Sequence, residues 1–266
     1  MKDLLTGRVI LISGGTQGLG AAVARAGVRE GAAVVISGRN DERGEKVVSE
    51  LESLGGTASF VHTDVSDVVA AQACVAATIA QHGRIDGLVN AAGLTTRGSM
   101  LDTTPELFDQ HIAVNLRAPF FLMQAAIANM KRRGAPGSIV NVISIDSHGG
   151  QSFLAPYVAA KAGLAGLTKN AAHAHRWDRI RINGLNMGWS ATDGEDQTQR
   201  RAAQTGDLRT QGAGDWKAAA GAVLPMGKLG QPDEIADFIV FLLSDRSGVV
   251  TGSVIDWDQQ VPGGSD

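Results

Sequence analysis

The junction near the start of the chain constrains the fold more than any other stretch. A continuous apolar run, Val9-Ile10-Leu11-Ile12, ends in Gly14-Gly15-Thr16-Gln17-Gly18-Leu19-Gly20, and the glycines lead into an alanine-rich helical stretch over residues 21–29. A strand with one wet face alternates apolar and polar residues, whereas an unbroken apolar run marks a strand covered on both faces, as in a parallel sheet. Where that strand turns into the helix, the missing Cβ atoms let a ligand approach the main chain, and the unpaired N–H groups and positive dipole end attract phosphate. Strand, glycine turn and helix in this order make a glycine cluster a dinucleotide fingerprint, so Gly14, Thr16, Gln17, Gly18, Leu19 and Gly20 are candidate cofactor-binding residues.

The alternation continues. Strands are predicted over 33–36, 58–62, 86–90, 138–144 and 181–186, and helices over 41–54, 67–82, 104–133 and 157–177. The helix over 104–133 opens on Thr104-Pro105-Glu106, a capping oxygen, a first-position proline and a first-turn acid. Regular alternation predicts an α/β fold, a Rossmann-type doubly wound parallel sheet with helices on both faces and ligands beyond the carboxyl ends of the strands. With 266 residues and 44% hydrophobic content, the chain is expected to close as one domain, 1–266, around a sizeable core.

A net charge of −3 without a basic run argues against a nucleic-acid or membrane partner and for a small-molecule substrate. Strand-like residues begin at Arg8, leaving no room for a signal peptide, and no apolar run approaches the roughly 18 residues of a membrane span. The one cysteine, Cys74, lies among alanines and valines and reads as a small core residue; a cytoplasmic location is expected. His173 and His175 are two apart on a predicted helix and point to different faces, so no metal site is expected.

Chemistry concentrates around Tyr157 and Lys161. Four apart at the start of a helix, they stack on one face, and an ammonium a few ångströms from a phenol favours its phenolate, bringing Tyr157 toward acid/base range. After the second strand, the slot roughly 20 residues past the glycines, where an acid holds a ribose 2′-OH, is occupied by Gly38 and followed by Arg39. Arg39 is either a solvated turn residue or the partner of a 2′-phosphate, and the missing acid favours NADP over NAD. Asp64, with Val65 at another strand end, is read as an acceptor for the adenine amino group or as an N-cap near Ser66 and Asp67. Asn115, inside Ile112-Ala-Val-Asn-Leu, is a polar residue among apolar ones, a satisfied core amide or a helix kink.

Taken together, the motifs resemble those of the short-chain dehydrogenase/reductases along nearly the whole chain. The resemblance is carried by Gly14, Gly18 and Gly20, by Asp64-Val65, Asn90-Ala91-Ala92-Gly93, Asn115, Ser144 thirteen residues before Tyr157, Tyr157 with Lys161, and Asn186-Met187-Gly188 with Thr192. It implies an oxidoreductase moving a hydride between nicotinamide and a carbon bearing oxygen, with Asn115, Ser144, Tyr157 and Lys161 as the catalytic tetrad. By the same resemblance Asn90, Ala91, Gly93, Gly188 and Thr192 join the cofactor set. Tyr157 would handle the proton, Ser144 orient the substrate oxygen, Lys161 contact the ribose and lower the phenol's pKa, and Asn115 hold a water linking Lys161 to solvent. The chain departs from the family pattern at Ala91, commonly asparagine, at Met187, commonly proline, and in the tail Asp256-Trp257-Asp258-Gln-Gln-Val. The resemblance also implies a homotetramer.

Residues 189–227 are rich in Gly, Gln, Thr, Asp and Arg, with little periodicity apart from a helix near 216–222, and are expected to form a lid. The candidate substrate lining is Thr95, Arg97, Ser144, Asp146, His148, Gln151, Tyr157, Trp189 and Trp257. A polar set with tryptophan faces suits a sugar or polyol, with a 3-oxoacyl or ketosteroid reductase as the alternative and a non-catalytic dinucleotide sensor as a third reading.

Overall fold

The computed structural model describes residues 3–204 and 215–261. Its frame is one seven-stranded parallel sheet: β1 (Val9–Ser13), β2 (Ala33–Gly38), β3 (Thr57–His62), β4 (Gly87–Asn90), β5 (Gly137–Val142), β6 (Ile180–Met187) and β7 (Val254–Trp257), in the order β3-β2-β1-β4-β5-β6-β7. The helices are α1 (Gly18–Arg29), α2 (Asp41–Ser53), α3 (Val68–His82), α4 (Pro105–Ile112), α5 (Ala118–Arg133), α6 (Ala155–His175), α7 (Asp193–Gln204), α8 (Trp216–Val223) and α9 (Pro232–Leu243).

Period-two geometry divides β1 between two cores. Ile10 and Ile12 pack with α1, α2 and α9, while Leu11 packs with α3, α5 and α6 on the other face. The buried Asp86 carboxylate ties the sheet's base together, accepting from the Val9 N–H at 2.9 Å and pairing with Arg84 and Arg133. Burial raises its pKa, but these partners outweigh burial and hold it below the ordinary carboxylate range. The chain reverses direction across the sheet between β1 and β4, and the crevice above those two carboxyl ends is where a doubly wound sheet binds its ligand.

The expected single helix over 104–133 is broken. A π-helical segment, Ala113–Arg117, separates α4 from α5. The cause is tertiary: the fully buried Asn115 amide accepts from the Leu94 N–H at 2.9 Å and donates to the Leu94 carbonyl at 2.9 Å, holding that turn against the loop after β4. α7 was not expected either. Its polar sequence shows no apolar stripe, and its first turn is held through side chains, with Glu195 accepting from Trp189 and Asp196 from Trp216 at 2.8 Å. Of residues 189–227, 205–214 lie outside the described residues. Among the described residues no helix is long and apolar enough to cross a membrane.

Candidate active site

A cleft of about 920 Å³ runs along the carboxyl edge of the sheet. Gly14, Thr16, Gln17, Gly18, Leu19 and Gly20 form one wall, Arg39 one end, and Asp64, Val65, Ala91 and Gly93 the middle; Tyr157, Lys161 and Thr192 lie at the far end. The glycine turn is close-packed where it must be: a Cβ on Gly20 would stand 2.2 Å from the Gly14 carbonyl oxygen, and Gly14 has φ +73°. Gly18, at φ +53°, opens on the cleft, with Thr192 opposite.

Capping distinguishes α1 from its neighbours. Asn40, Asp67 and Thr104 each accept a hydrogen bond at the start of α2, α3 and α4, but no side chain caps α1 and no acid sits in its first turn. An uncapped helix start facing a glycine-lined cleft fits a pyrophosphate. The donor set fits the rest of a dinucleotide: a guanidinium at one end, an apolar and glycine-lined middle, and Tyr157 with Lys161 at the other. Arg43 and Asn40 also line the Arg39 end, and Arg43 donates to the Gln17 side chain. Sequence reasoning missed them, although both fall within four residues of Arg39.

Asp64 is resolved between its two readings. Asp67, accepting from the Val69 N–H at 2.8 Å, is the N-cap, while Asp64 lines the cleft and accepts from the Ser66 N–H and hydroxyl. Burial raises the Asp64 pKa, but the Ser66 hydrogen bonds and the Arg39 charge leave it low and the carboxylate ionised. Asn90 is buried beside the cleft, donating to Asn141 at 2.7 Å, and its Oδ1 has no partner.

At the catalytic end, Ser144 terminates the stretch after β5, and Tyr157 and Lys161 share a face of α6. Ser144 is close enough to the Tyr157 phenol to favour its ionised form. Lys161 is 4% exposed, donates to the Val142 carbonyl at 2.8 Å, and has its Nζ 5.6 Å from the centre of the Tyr157 ring. The resemblance has Lys161 lower the phenol's pKa together with the oxidised cofactor; in the chain alone, burial of the hydroxyl pushes Tyr157 above its ordinary value, and the Asp146 and Glu195 charges push the same way against Ser144. Burial also lowers Lys161 to about 8. Helical spacing gives proximity, but desolvation acts on both groups and favours their neutral forms.

Asn115 does not line the cleft. Its two amide hydrogens go to the Leu94 carbonyl and to His111 Nδ1 at 3.1 Å, so it is a satisfied core amide and also sits in the kinked turn. His111, which sequence reasoning missed, is fully buried, bonds the Thr96 carbonyl through Nε2, and meets the Tyr157 ring edge-on at 6.1 Å. Its position one helical turn before Asn115 was the available signal. Burial lowers its pKa, so its ring is neutral near neutral pH.

The expected substrate residues divide. Asp146 reaches Ser144, Thr95 lines the cleft, and Gln151 lies beyond it, its carbonyl accepting from the Leu154 N–H. Arg97 lies over the Phe153 ring at 4.7 Å. His148 is tied to Asp256 at 2.9 Å and to Asn186 at 3.0 Å. Trp189 stacks on Trp216 and, with Gly188, Trp257 and Asp258, lines a second cavity of about 420 Å³ rather than the main cleft. Glu195, on the missed helix, lines the main cleft. Among the described residues no His, Cys, Asp and Glu group is arranged to hold a metal.

A doubly wound sheet, an uncapped glycine-lined helix start and a serine–tyrosine–lysine group at the end of the same cleft define a dinucleotide-dependent oxidoreductase. The family model described as enoyl-(acyl carrier protein) reductase matches residues 14–259. The chain is 34% identical over 256 residues to an L-rhamnose 1-dehydrogenase (NAD(P)(+)) of Azotobacter vinelandii, covering 94% of each, and 31% identical over 255 residues to a 3-oxoacyl-(acyl-carrier-protein) reductase of Chlamydia pneumoniae, covering 96% of this chain and 97% of the relative. Among solved structures, an actinorhodin polyketide ketoreductase with NADPH superposes with a TM-score of 0.89 at 27% identity, covering 97% of this chain and 98% of that one. The chain belongs to the short-chain dehydrogenase/reductase family, enzymes acting on CH–OH groups with NAD(P) as acceptor.

Proposed function

We propose that this enzyme interconverts a polar secondary alcohol, a sugar or polyol, and its carbonyl, with NADP preferred over NAD. The observation that carries the substrate reading is the surroundings of Ser144 and Tyr157: the Asp146 carboxylate accepts from the Ser144 hydroxyl at 3.1 Å, and Glu195 lines the same cleft as Tyr157. Carboxylates there accept hydrogen bonds from a hydroxylated substrate, whereas an acyl chain or steroid would desolvate them without return. The sugar named for the Azotobacter relative points the same way, and the 3-oxoacyl reductase remains the second reading. For the cofactor, Arg39 and Arg43 line one end of the cleft where Gly38 replaces an acid, a set suited to a 2′-phosphate.

When bound, the nicotinamide nucleotide supplies the hydride acceptor or donor. In oxidation the substrate carbon gives up a hydride and its oxygen a proton, and Tyr157 exchanges that proton with the oxygen. Ser144 orients the oxygen. Lys161 supplies positive charge from one turn along α6, and Asn115 positions the turn that carries His111 against Tyr157, a role for which its side chain needs no water. Of residues 189–227, the described α7 serves in the lid of a single domain, carrying Glu195 onto the cleft. The protein works as a cytoplasmic homotetramer, a reading supported by the exposed Phe108 and Phe120 of α4 and α5 and by the exposed small residues Ala159, Ala162, Gly163 and Gly166 of α6; sedimentation velocity showing a stable monomer would contradict it.

The test is nicotinamide absorbance followed with NAD⁺ and NADP⁺ against aldoses, polyols and hydrophobic alcohols, with Tyr157→Phe as control. Turnover of a sugar or polyol with NADP⁺, lost in the variant, is expected. Turnover confined to apolar alcohols, or a fully active Tyr157→Phe, overturns the reading.

A further inference from the structure

The start of α7 is organised around one carboxylate. Glu195 Oε1 accepts from the Trp189 indole N–H at 3.0 Å and from the Gln199 amide at 2.7 Å, and the Glu195 backbone N–H donates to the Thr192 hydroxyl at 3.2 Å. Two donors on one oxygen fix the plane of the group. An ionised carboxylate has about four lone-pair sites on its two oxygens. Both bonds here fall on Oε1, and among the described residues Oε2 has no hydrogen-bond partner. Glu195 lines the main cleft together with Thr192, Tyr157 and Lys161. The grip on it comes from outside that cleft. Trp189 lines the second cavity and stacks on Trp216 with ring centres 6.1 Å apart, and Trp216 donates to Asp196 at 2.8 Å. Gln199 is 6% exposed and its Oε1 has no partner. Burying an amide with its oxygen unsatisfied is costly, and the bond from its nitrogen to Glu195 is what that placement secures. With no apolar stripe on α7, the bonds that hold its first turn are also the bonds that orient the Glu195 carboxylate.

We propose that Glu195 is a specificity-determining residue whose Oε2 accepts a hydrogen bond from a second hydroxyl of the substrate, apart from the one that reacts, and that Trp189 and Gln199 are positioning residues that act by fixing this carboxylate. The proposal rests on the sugar or polyol reading of the cleft and names the group that recognises such a substrate. The two hydroxyls have different fates. The reacting oxygen meets Tyr157 and passes its proton there, while the second hydroxyl donates to Glu195 and keeps its proton. The two groups lie in one space, since the Glu195 charge reaches both the Tyr157 phenol and Asp146. A hydrogen bond to an ionised acceptor is roughly twice as strong as a neutral one. A site built to pair a hydroxyl rejects the analogue that lacks it, because the held carboxylate is then desolvated with nothing in return. Trp189 therefore bears on the substrate without touching the main cleft, through the indole N–H that it places on Oε1.

The test takes the sugar or polyol that the wild type turns over best and measures kcat/KM for it and for each of its single-deoxy analogues. In the wild type one analogue is expected to fall below the parent by roughly tenfold or more, the worth of a hydrogen bond to a charged group. In Glu195→Ala the parent and that analogue should become nearly equal. Trp189→Phe, which keeps a ring for the stack and loses the N–H, should shrink the ratio part of the way. A role confined to holding α7 would slow parent and analogue alike and leave the ratio where it stood, so the ratio separates recognition from support. Where Glu195→Ala loses helical circular dichroism, Glu195→Gln reads the same ratio: its amide oxygen keeps both bonds, and the ratio should fall because the charge is gone. A wild type that tolerates every deoxy analogue, or a ratio unchanged in the Glu195 variants, overturns the proposal and leaves the sugar or polyol reading standing. A ratio lost in the Glu195 variants but unchanged in Trp189→Phe overturns the part assigned to Trp189. A wild type that turns over only apolar alcohols, or nothing, overturns the functional reading, and the proposal falls with it.

Discussion

Replacing Lys161 by methionine should abolish turnover and at the same time stabilise the protein without nucleotide. Lys161 is 4% exposed, and burial brings its pKa from 10.5 to about 8. A shift of that size is a penalty of about 3 kcal/mol for carrying the charge in the folded state. Against it stands the hydrogen bond from Nζ to the Val142 carbonyl at 2.8 Å, whose loss costs about 1 kcal/mol. Methionine fills the space of the aliphatic stem without the charge. The net gain is about 2 kcal/mol near neutral pH, or a Tm rise of about 4 °C for a chain of this length. The pH dependence carries the sign. Because the folded chain binds this proton less tightly than the unfolded one, the wild type gains stability as pH rises from about 8 to 10.5, and below about 8 the penalty is constant. The advantage of methionine should therefore be full below pH 8 and gone by pH 10.5. Thermal unfolding of both proteins across that range decides it: a methionine variant less stable near neutral pH, or a difference that does not change with pH, refutes the reasoning.

Three further outcomes follow from the geometry. Gly20→Ala drives a Cβ to within 2.2 Å of the Gly14 carbonyl oxygen, so calorimetric titration should show nucleotide affinity reduced at least about tenfold as the turn moves to relieve the clash. Arg39→Ala should raise the KM for NADP⁺ by about tenfold while leaving that for NAD⁺ nearly unchanged, which steady-state kinetics with both nucleotides will read. Asp86→Asn leaves two guanidinium groups without their carboxylate and should cost about 3 kcal/mol near neutral pH in denaturant unfolding. Since the folded Asp86 pKa is depressed, that contribution is present above the unfolded carboxylate pKa and is lost as pH falls through the folded one, so the gap between variant and wild type should close in acid.

The sheet, the glycine turn and the positions of Tyr157 and Lys161 were legible because each depends on local pattern: unbroken apolar runs for doubly covered strands, and helical spacing for the pair. What was illegible depends on distant partners. Asn115 stands out as a core amide or a kink, but only the Leu94 backbone, 21 residues earlier, turns that stretch into a π segment that splits the helix. The start of α7 carries a cap signal that sequence reasoning missed, Thr192 accepting from the Glu195 N–H with acids in the first turn, but its body has no apolar stripe and that turn is held by tryptophans at 189 and 216. The two readings of Asp64 differed by which of two neighbouring acids caps α3, a choice that backbone geometry made in favour of Asp67. Trp189, expected at the substrate, lines the second cavity because stacking on Trp216 holds it there.

The electrostatics of the site carry the same lesson one step further. Tyr157 and Asp146 are raised while Lys161 and His111 are lowered, and in all four the largest cause is burial. Each group is pushed toward its neutral form, so the site is not an ion pair waiting to react but a set of desolvated groups whose charges depend on one another. Burial does most to hold the Tyr157 phenol protonated, the Asp146 and Glu195 charges add to it, and the Lys161 ammonium is turned to the Val142 carbonyl. Movement of Lys161 off that carbonyl would bring its charge to bear on the phenol, a contribution that spacing along a helix could never show.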